Sequence, residues 1–345
     1  MCLFFLSSDI APNGNRPKCI VPARWPSSQL RLSLAETRQH NSMPKWAQRH
    51  AFQALMKTRY FLQLVALSAL WGSGFMLSRI AAPQLGPNLM ATIRMGLATM
   101  VLGTLMRIFK YRWPLQHWRE VVLLGLLAVA GPHTLYAWSA LYLPAGYGAL
   151  LTVTSVLFGA FASAYWKEEV LTPAKLIGCA LGFAGAALVV RLGPVQPTAK
   201  LLAAAVVCVC GAALSGIATP LLKRALKRMQ PLEVTAGMHG AAFLIMIPGA
   251  AYDWPHASFT FSALGSVAIM GITTSGLAYW LYMRIMRHVP PMAALSSTFM
   301  STGFGIFWAV LLLHEETSAA MFAGGALIVT ACILVTGINP LRRAS

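Results

Sequence analysis

The sequence predicts an all-α integral membrane protein of about ten transmembrane helices, arranged as two inverted five-helix repeats. Three observations carry that prediction. Of the 345 residues, 57% are apolar and 10% charged, whereas a soluble domain carries about 25% charged residues. From Tyr60 onward, apolar runs recur between short polar breaks, each of roughly 17–25 residues and so long enough to cross about 30 Å of hydrocarbon. Finally, the second half repeats the most singular residues of the first.

Residues 1–58 differ from the rest. They carry Arg16, Lys18, Arg24, Arg31, Arg38, Lys45, Arg49 and Lys57 against only Asp9 and Glu36, with scattered Pro, Ser and Asn. Such a segment cannot bury enough apolar surface to fold, so it reads as a disordered cytoplasmic tail. Its opening Met-Cys-Leu-Phe-Phe-Leu is too short for a signal sequence. A second reading starts translation at Met56, where Met-Lys-Thr-Arg-Tyr runs into the first span.

Helices are expected near 61–80, 87–107, 119–142, 146–166 and 174–191 in a first repeat over 59–197. In a second repeat over 198–345 they are expected near 201–221, 232–252, 262–284, 291–313 and 319–338. Val121 to Trp166 contains no charged residue and is too long for one helix, so Leu-Pro-Ala-Gly at 143–146 is a tight turn between two.

Orientation follows from the basic residues, which accumulate in cytoplasmic loops. With the N-terminus inside, the tail, Arg107, Lys110, Arg112, Arg119, Lys167, Lys175, Lys223, Arg224, Lys227, Arg228, Arg284, Arg287, Arg342 and Arg343 all fall inside. Only Arg79, Arg191 and Lys200 fall outside. Both termini are therefore expected in the cytoplasm, with the chain in the cell membrane, here a bacterial inner membrane.

Sliding Pro144 onto Pro290, an offset of 146, brings Thr152 onto Thr298, Phe158-Gly159 onto Phe304-Gly305 and Phe161 onto Phe307. Glu169 then meets Glu315, Thr172 meets Ser318, Gly178 meets Gly324 and Pro194 meets Pro340. Five is odd, so the second half must enter the membrane from the opposite side. Inverted repeats of this kind characterise secondary transporters, whose two halves exchange inward-open and outward-open states. Thr172 and Ser318 suit helix N-caps. Glu169 and Glu315 lie beside the positive helix ends, as structural anchors or as gating groups.

The ordered set Leu-Trp-Gly-Ser-Gly-Phe at 70–75, Pro87 with Arg94, Glu-Val-Leu-Thr at 169–172 leading to Gly178 and Gly185, and Glu315 leading to Gly324 resembles the drug/metabolite transporter superfamily. The resemblance is to its EamA-type ten-helix permeases and covers about 59–338. It implies solute transport without ATP and cytoplasmic termini. The chain departs from the family pattern at Val156 and Thr302, where proline is usual.

Polar groups inside a bilayer are costly and mark candidate sites. Arg94 is the one charged residue well inside a span, placed to bind an anionic solute or to hold helices together. Gly131-Pro132 breaks the third helix, after which His133, Tyr136 and Ala140 share a face. Pro87 pairs with Pro231 in the repeat, which puts His239 one position beyond the equivalent of Arg94. Ser275, Tyr279 and Tyr282 share a face of the eighth helix; Trp71, Ser73 and Thr298 complete the candidate solute contacts. Each has a packing alternative: a lone membrane histidine usually bonds within the bundle, and Trp or Tyr can pack as readily as stack.

Other classes fare worse. The net charge of +18 sits between apolar runs and not in a nucleic-acid-binding motif. The six cysteines, at 2, 19, 179, 208, 210 and 332, form no disulfide or zinc pattern, and no Walker glycine loop occurs. A lipid-active enzyme needs clustered His, Asp or Glu, but the histidines are scattered singly. A receptor or scaffold would not need inverted halves. No catalysis, cofactor or metal is expected; the partners are a small solute, the lipid bilayer and, in one reading, a second copy as a homodimer.

Overall fold

The computed structural model describes residues 58–166, 173–192, 198–288, 294, 297–314 and 318–336. The basic tail, the Met56 start, Glu169, Thr172 and Glu315 lie outside the described residues. In chain order the helices are α1 Thr58–Leu85, α2 Pro87–Ile108, α3 Leu115–Ser139, α4 Ala145–Tyr165 and α5 Pro173–Leu192, then α6 Ala199–Ala225, α7 Pro231–Asp253, α8 Phe261–His288, α9 Ser297–Leu313 and α10 Ala319–Thr336. Among the described residues there is no strand, and seven helices, α1 to α4 and α6 to α8, are long and apolar enough to cross a membrane. Met300–Leu313 and Ala319–Ala331 are shorter apolar stretches. The protein is a multi-pass membrane protein.

Local chemistry sets the helix starts. Pro87 and Pro231 occupy the first helical turn, where a missing N–H costs nothing. At α7, the Glu233 carboxylate reaches back to the Gln230 N–H at 2.8 Å. At α6 and α8, the hydroxyls of Thr198 and Thr260 accept from Leu201 and Ala263, both at 3.2 Å. The cap of α2 comes from a distant element: the Asp253 carboxylate, at the end of α7, accepts from the N–H groups of Asn88 (2.7 Å) and Leu89 (3.2 Å). Gly86 makes the approach feasible, having φ +80 and lying so close to Asp253 that a Cβ would stand 2.6 Å from its Oδ2.

Two of the long rods are not uniformly α-helical. Gly125–Ala130 in α3 and Met270–Leu277 in α8 are wound as π-helix. The sequence suggests a break at Gly131-Pro132; instead the wider turn just before it absorbs the missing proline N–H and the rod continues to Ser139. Gly125 and Gly271 correspond under the 146-residue offset. The first packs on the Met238 carbonyl of α7, and the second on the Arg94 carbonyl of α2.

Packing is pseudo-twofold. α2 lies along α7 and α5 along α10, while α1 lies on α9 as α6 lies on α4. Likewise α1 meets α8 as α6 meets α3, and α2 meets α8 as α7 meets α3. Renaming each helix by its counterpart five places on leaves this pattern unchanged. The contact details obey the same rule. A Cβ on Gly72 would stand 2.7 Å from Phe304 Cβ and 2.8 Å from Gly305 N, and one on Gly216 would stand 2.9 Å from Phe158 Cβ and 2.7 Å from Gly159 N.

Loop contacts sort into two faces. On one, Ser258 N–H donates to Gln84 O at 2.7 Å and Asp253 caps α2, joining the α1–α2 and α7–α8 connections. On the other, Arg228 pairs with Glu120 at 3.6 Å and Arg287 donates to Gln230, joining the starts of α3 and α7 to the end of α8. Between these faces the outer surface is apolar. Leu244, Val206 and Met100 are each more than 60% exposed, as suits spans whose outer side chains face hydrocarbon. Trp113, Trp118, Tyr165, Tyr252 and Trp254 are exposed near the helix ends, where amphipathic rings meet the lipid headgroups.

Candidate functional site

A cavity of about 180 Å³ lies at the centre of the bundle, lined by residues of α1, α2, α3, α4, α6, α8 and α9. α1 contributes Trp71, Gly74, Phe75 and Ser78, the spacing of one helical face. Ser73 belongs to the opposite face, two positions and about 200° away. It is absent from the lining, and its hydroxyl donates to Leu70 O at 2.8 Å.

Arg94 reaches the cavity from α2 and is oriented by α8. Its Nε donates to Ser275 Oγ at 2.5 Å and one terminal nitrogen donates to Thr274 Oγ1 at 3.1 Å. Both hydroxyls belong to the π-helical segment, whose wide turn presents successive residues to one neighbour. Among the described residues, Arg94 meets no carboxylate. Trp71 Nε1 donates to the Thr274 carbonyl at 3.1 Å. Its ring lies 4.9 Å from Tyr282 and 5.9 Å from Tyr279, which are themselves 5.9 Å apart. These three rings form an aromatic wall beside the guanidinium.

His133 stands after the π-helical segment of α3, and its Nδ1 lies 2.8 Å from Val129 O. A carbonyl only accepts, so Nδ1 carries the proton and a neutral ring offers Nε2 to the cavity as an acceptor. His239 uses Nδ1 in the same way, on Thr235 O at 2.8 Å. It is fully buried behind the cavity, edge-on to Tyr279 at 5.0 Å, and its Nε2 has no partner. The Tyr136 hydroxyl lies 3.4 Å from Ser215 Oγ, and the Tyr279 hydroxyl donates to Ala128 O at 3.4 Å.

Of the residues singled out in the sequence, Trp71, Arg94, His133, Tyr136, Tyr279 and Thr298 meet on this cavity. Ser275 supports it through Arg94, His239 lies behind Tyr279, and Ser73 stands apart. Sequence reasoning passed over Thr274, Ser155, Ser215 and Ser301. A signal for most of these existed. The offset that pairs Thr152 with Thr298 also pairs His133 with Tyr279, Tyr136 with Tyr282 and Ser155 with Ser301, and all eight line the cavity. Trp71, Phe75 and Ser78 pair with Ser215, Thr219 and Leu222 in the register of Pro87 and Pro231, and these six line it too. The cavity therefore sits on the pseudo-twofold axis. Arg94 breaks its symmetry, since its counterpart is the apolar Met238.

Cys208 also lines the cavity, whereas Cys210 is exposed. Among the described residues, no three His, Cys, Asp or Glu side chains converge as metal ligands would.

Residues 58–191 and 202–337 each match the EamA-like transporter family. Among curated relatives, the "Uncharacterized transporter YvbV" of Bacillus subtilis is 28% identical over 300 residues, covering 84% of this chain and 96% of that protein. The "Probable terminal-alkyne amino-acid exporter" of Streptantibioticus cattleyicolor is 22% identical over 276 residues, covering 79% of this chain and 91% of the relative. A solved crystal structure aligns with a TM-score of 0.60 at 18% identity, over 79% of this chain and 94% of that one; this likeness shows a shared fold.

Proposed function

Because the chain belongs to the EamA-like transporter family, we propose that it is a secondary transporter carrying a small amphiphilic solute with an anionic group through the central cavity by alternating access. The observation that carries this reading is Arg94. A guanidinium in an apolar, aromatic-walled cavity is costly unless a counter-charge meets it, and among the described residues only two neutral hydroxyls meet this one. A solute carboxylate supplies that counter-charge. The aromatic wall of Trp71, Tyr279 and Tyr282 suits an apolar solute body. The acceptor Nε2 of His133 suits a donor on the solute, such as an ammonium group. An amino acid combines all three features, in keeping with the name of the S. cattleyicolor relative.

In this reading the halves 59–197 and 198–345 are the two repeats that exchange roles, in a bacterial inner membrane with both termini cytoplasmic. The test is flux into proteoliposomes across a panel of amino acids, other carboxylates, sugars, nucleosides and cationic drugs. Carboxylates are expected to move, and Arg94→Ala is expected to lower their flux at least tenfold with the fold intact, a loss of about 1.4 kcal/mol or more. Transport of cations or neutral sugars alone, unaffected by Arg94→Ala, would overturn the assignment.

A further inference from the structure

The two ends of the cavity are bridged by hydrogen bonds of the same design. At one end, Arg79 of α1 donates through one terminal nitrogen to the carbonyls of Ala140 and Leu141 at the C-terminus of α3, both at 2.8 Å. At the other, Lys223 of α6 donates through Nζ to Met286 O at 2.6 Å and Arg287 O at 3.5 Å, at the C-terminus of α8. The positions correspond. Arg79 and Lys223 pair in the register of Pro87 and Pro231, and Ala140-Leu141 pairs with Met286-Arg287 in the register of Pro144 and Pro290.

The sequence explains why these carbonyls need an external donor. The last carbonyls of a helix lack intrahelical partners. In addition, the residue four beyond Ala140 is Pro144, and those four beyond Met286 and Arg287 are Pro290 and Pro291. Proline has no N–H to continue the ladder. A cation at that helix end satisfies the orphaned oxygens and meets the negative end of the helix dipole.

Each bridge also crosses between differently packed groups. α1 rests chiefly on α8 and α9, and α6 on α3 and α4. Arg79 reaches from the first group to the second, and Lys223 reaches from the second to the first. Ala140 lines one end of the cavity, and Leu222, adjacent to Lys223, lines the other.

We propose that Arg79 and Lys223 are paired gate latches: Arg79 closes the face that carries the Gly86 and Asp253 connections, and Lys223 closes the basic face. Opening the cavity to one side requires release of that side's latch alone. The proposal rests on the alternating-access reading and goes beyond it by naming the residues that set its balance. With the basic face in the cytoplasm, loss of Arg79 favours the outward-open state and loss of Lys223 the inward-open state.

The test uses the full chain, with native cysteines replaced and a single reporter, Ser301→Cys, on the cavity wall. A membrane-impermeant maleimide is applied to right-side-out and to inside-out vesicles. Arg79→Gln is expected to raise the ratio of outside to inside labelling about tenfold, and Lys223→Gln to lower it about tenfold, the scale set by loss of a charged hydrogen bond. The double variant should return near the starting ratio, and Arg79→Lys and Lys223→Arg should stay near it. Thermal midpoint and gel filtration identify variants that merely misfold, a fate that would not reverse in the double variant. Folded single variants that move the ratio in the same direction, or leave it unchanged, would overturn the latches. A reporter reached from one side only in every variant would overturn alternating access and the latches with it. Labelling needs no transported solute, so an error in the solute class leaves this result standing.

Discussion

Arg94 was conspicuous in the sequence as the lone charge within a span, but what orients it was not. Thr274 and Ser275 are ordinary helix residues until the π-helical turn of α8 sets both hydroxyls toward α2. The fork matters as well as the charge. A lysine ammonium radiates its three donors from one nitrogen and cannot reproduce the planar fork that spans both hydroxyls and still presents a paired edge to a carboxylate. Arg94→Lys is therefore expected to lose most carboxylate flux, between about tenfold and the level of Arg94→Ala, when measured in proteoliposomes. Ser275→Ala should lose less, since Thr274 remains. His239 gives the opposite expectation. Its Nε2 is buried without a partner, so replacement by an apolar ring of similar shape removes a polar atom that nothing satisfies. His239→Phe also gives up the bond from Nδ1 to Thr235 O, which offsets that relief, so the thermal midpoint should stay near its starting value; a loss exceeding about 2 kcal/mol would contradict an unsatisfied Nε2. The pairs Tyr136/Tyr282 and Ser155/Ser301 were legible in the 146-residue offset, although their convergence on one cavity was not.

The helices themselves were legible from apolar run length, because hydrocarbon thickness fixes how long a span must be. Their internal irregularities were not, since no periodicity distinguishes a π turn from an α turn in a run that is apolar all round. The ends shifted as well: α1 continues through Pro83 to Leu85 and α6 through Pro220 to Ala225, each proline removing one intrahelical hydrogen bond without ending the helix. Glycine in a helix usually marks weakness, and replacement by alanine normally gains up to about 1 kcal/mol. At Gly72 and Gly216 the facing atoms are backbone atoms and a phenylalanine Cβ fixed to the backbone, which cannot step aside as the far end of a flexible side chain can. Gly72→Ala and Gly216→Ala are expected to destabilise by about 1–3 kcal/mol through overpacking. Gly265→Ala, where nothing lies within 4 Å, is the control and should not lower stability. Thermal midpoints in detergent compare the three. The cap of α2 is likewise an element-scale contact: Asp253→Ala removes the acceptor for two N–H groups and should cost about 1 kcal/mol.

Over the whole molecule, the repeat and the charge distribution make independent statements about orientation, and the structure brings them together. The ion pair of Arg228 with Glu120 and the contact of Arg287 with Gln230 place the α2–α3 connection, the α6–α7 connection and the end of α8 on one face. These segments hold Arg107, Lys110, Arg112, Arg119, Arg224, Lys227, Arg228, Arg284 and Arg287. The opposite face, tied together by Asp253 and Gln84, presents an acid and amides and, among the described residues, few cations. Sequence spacing alone counted these charges loop by loop; the contacts show that they share one surface. Because short loops rich in Lys and Arg are retained in the cytoplasm, the face bearing Arg228 is expected inside. A reporter active only in the periplasm, fused after Met229, should be inactive, while the same reporter fused after Ser258 should be active. A reporter active only in the cytoplasm should give the reverse. The odd number of helices expected in each half makes the test stringent, because connections related by the pseudo-twofold axis must lie on opposite sides. Fusions in the α3–α4 turn, near Leu143, and after His288 should therefore disagree with each other in every assay. Agreement between them would contradict inversion of the halves, and with it the reason to expect one cavity to be reached from both sides.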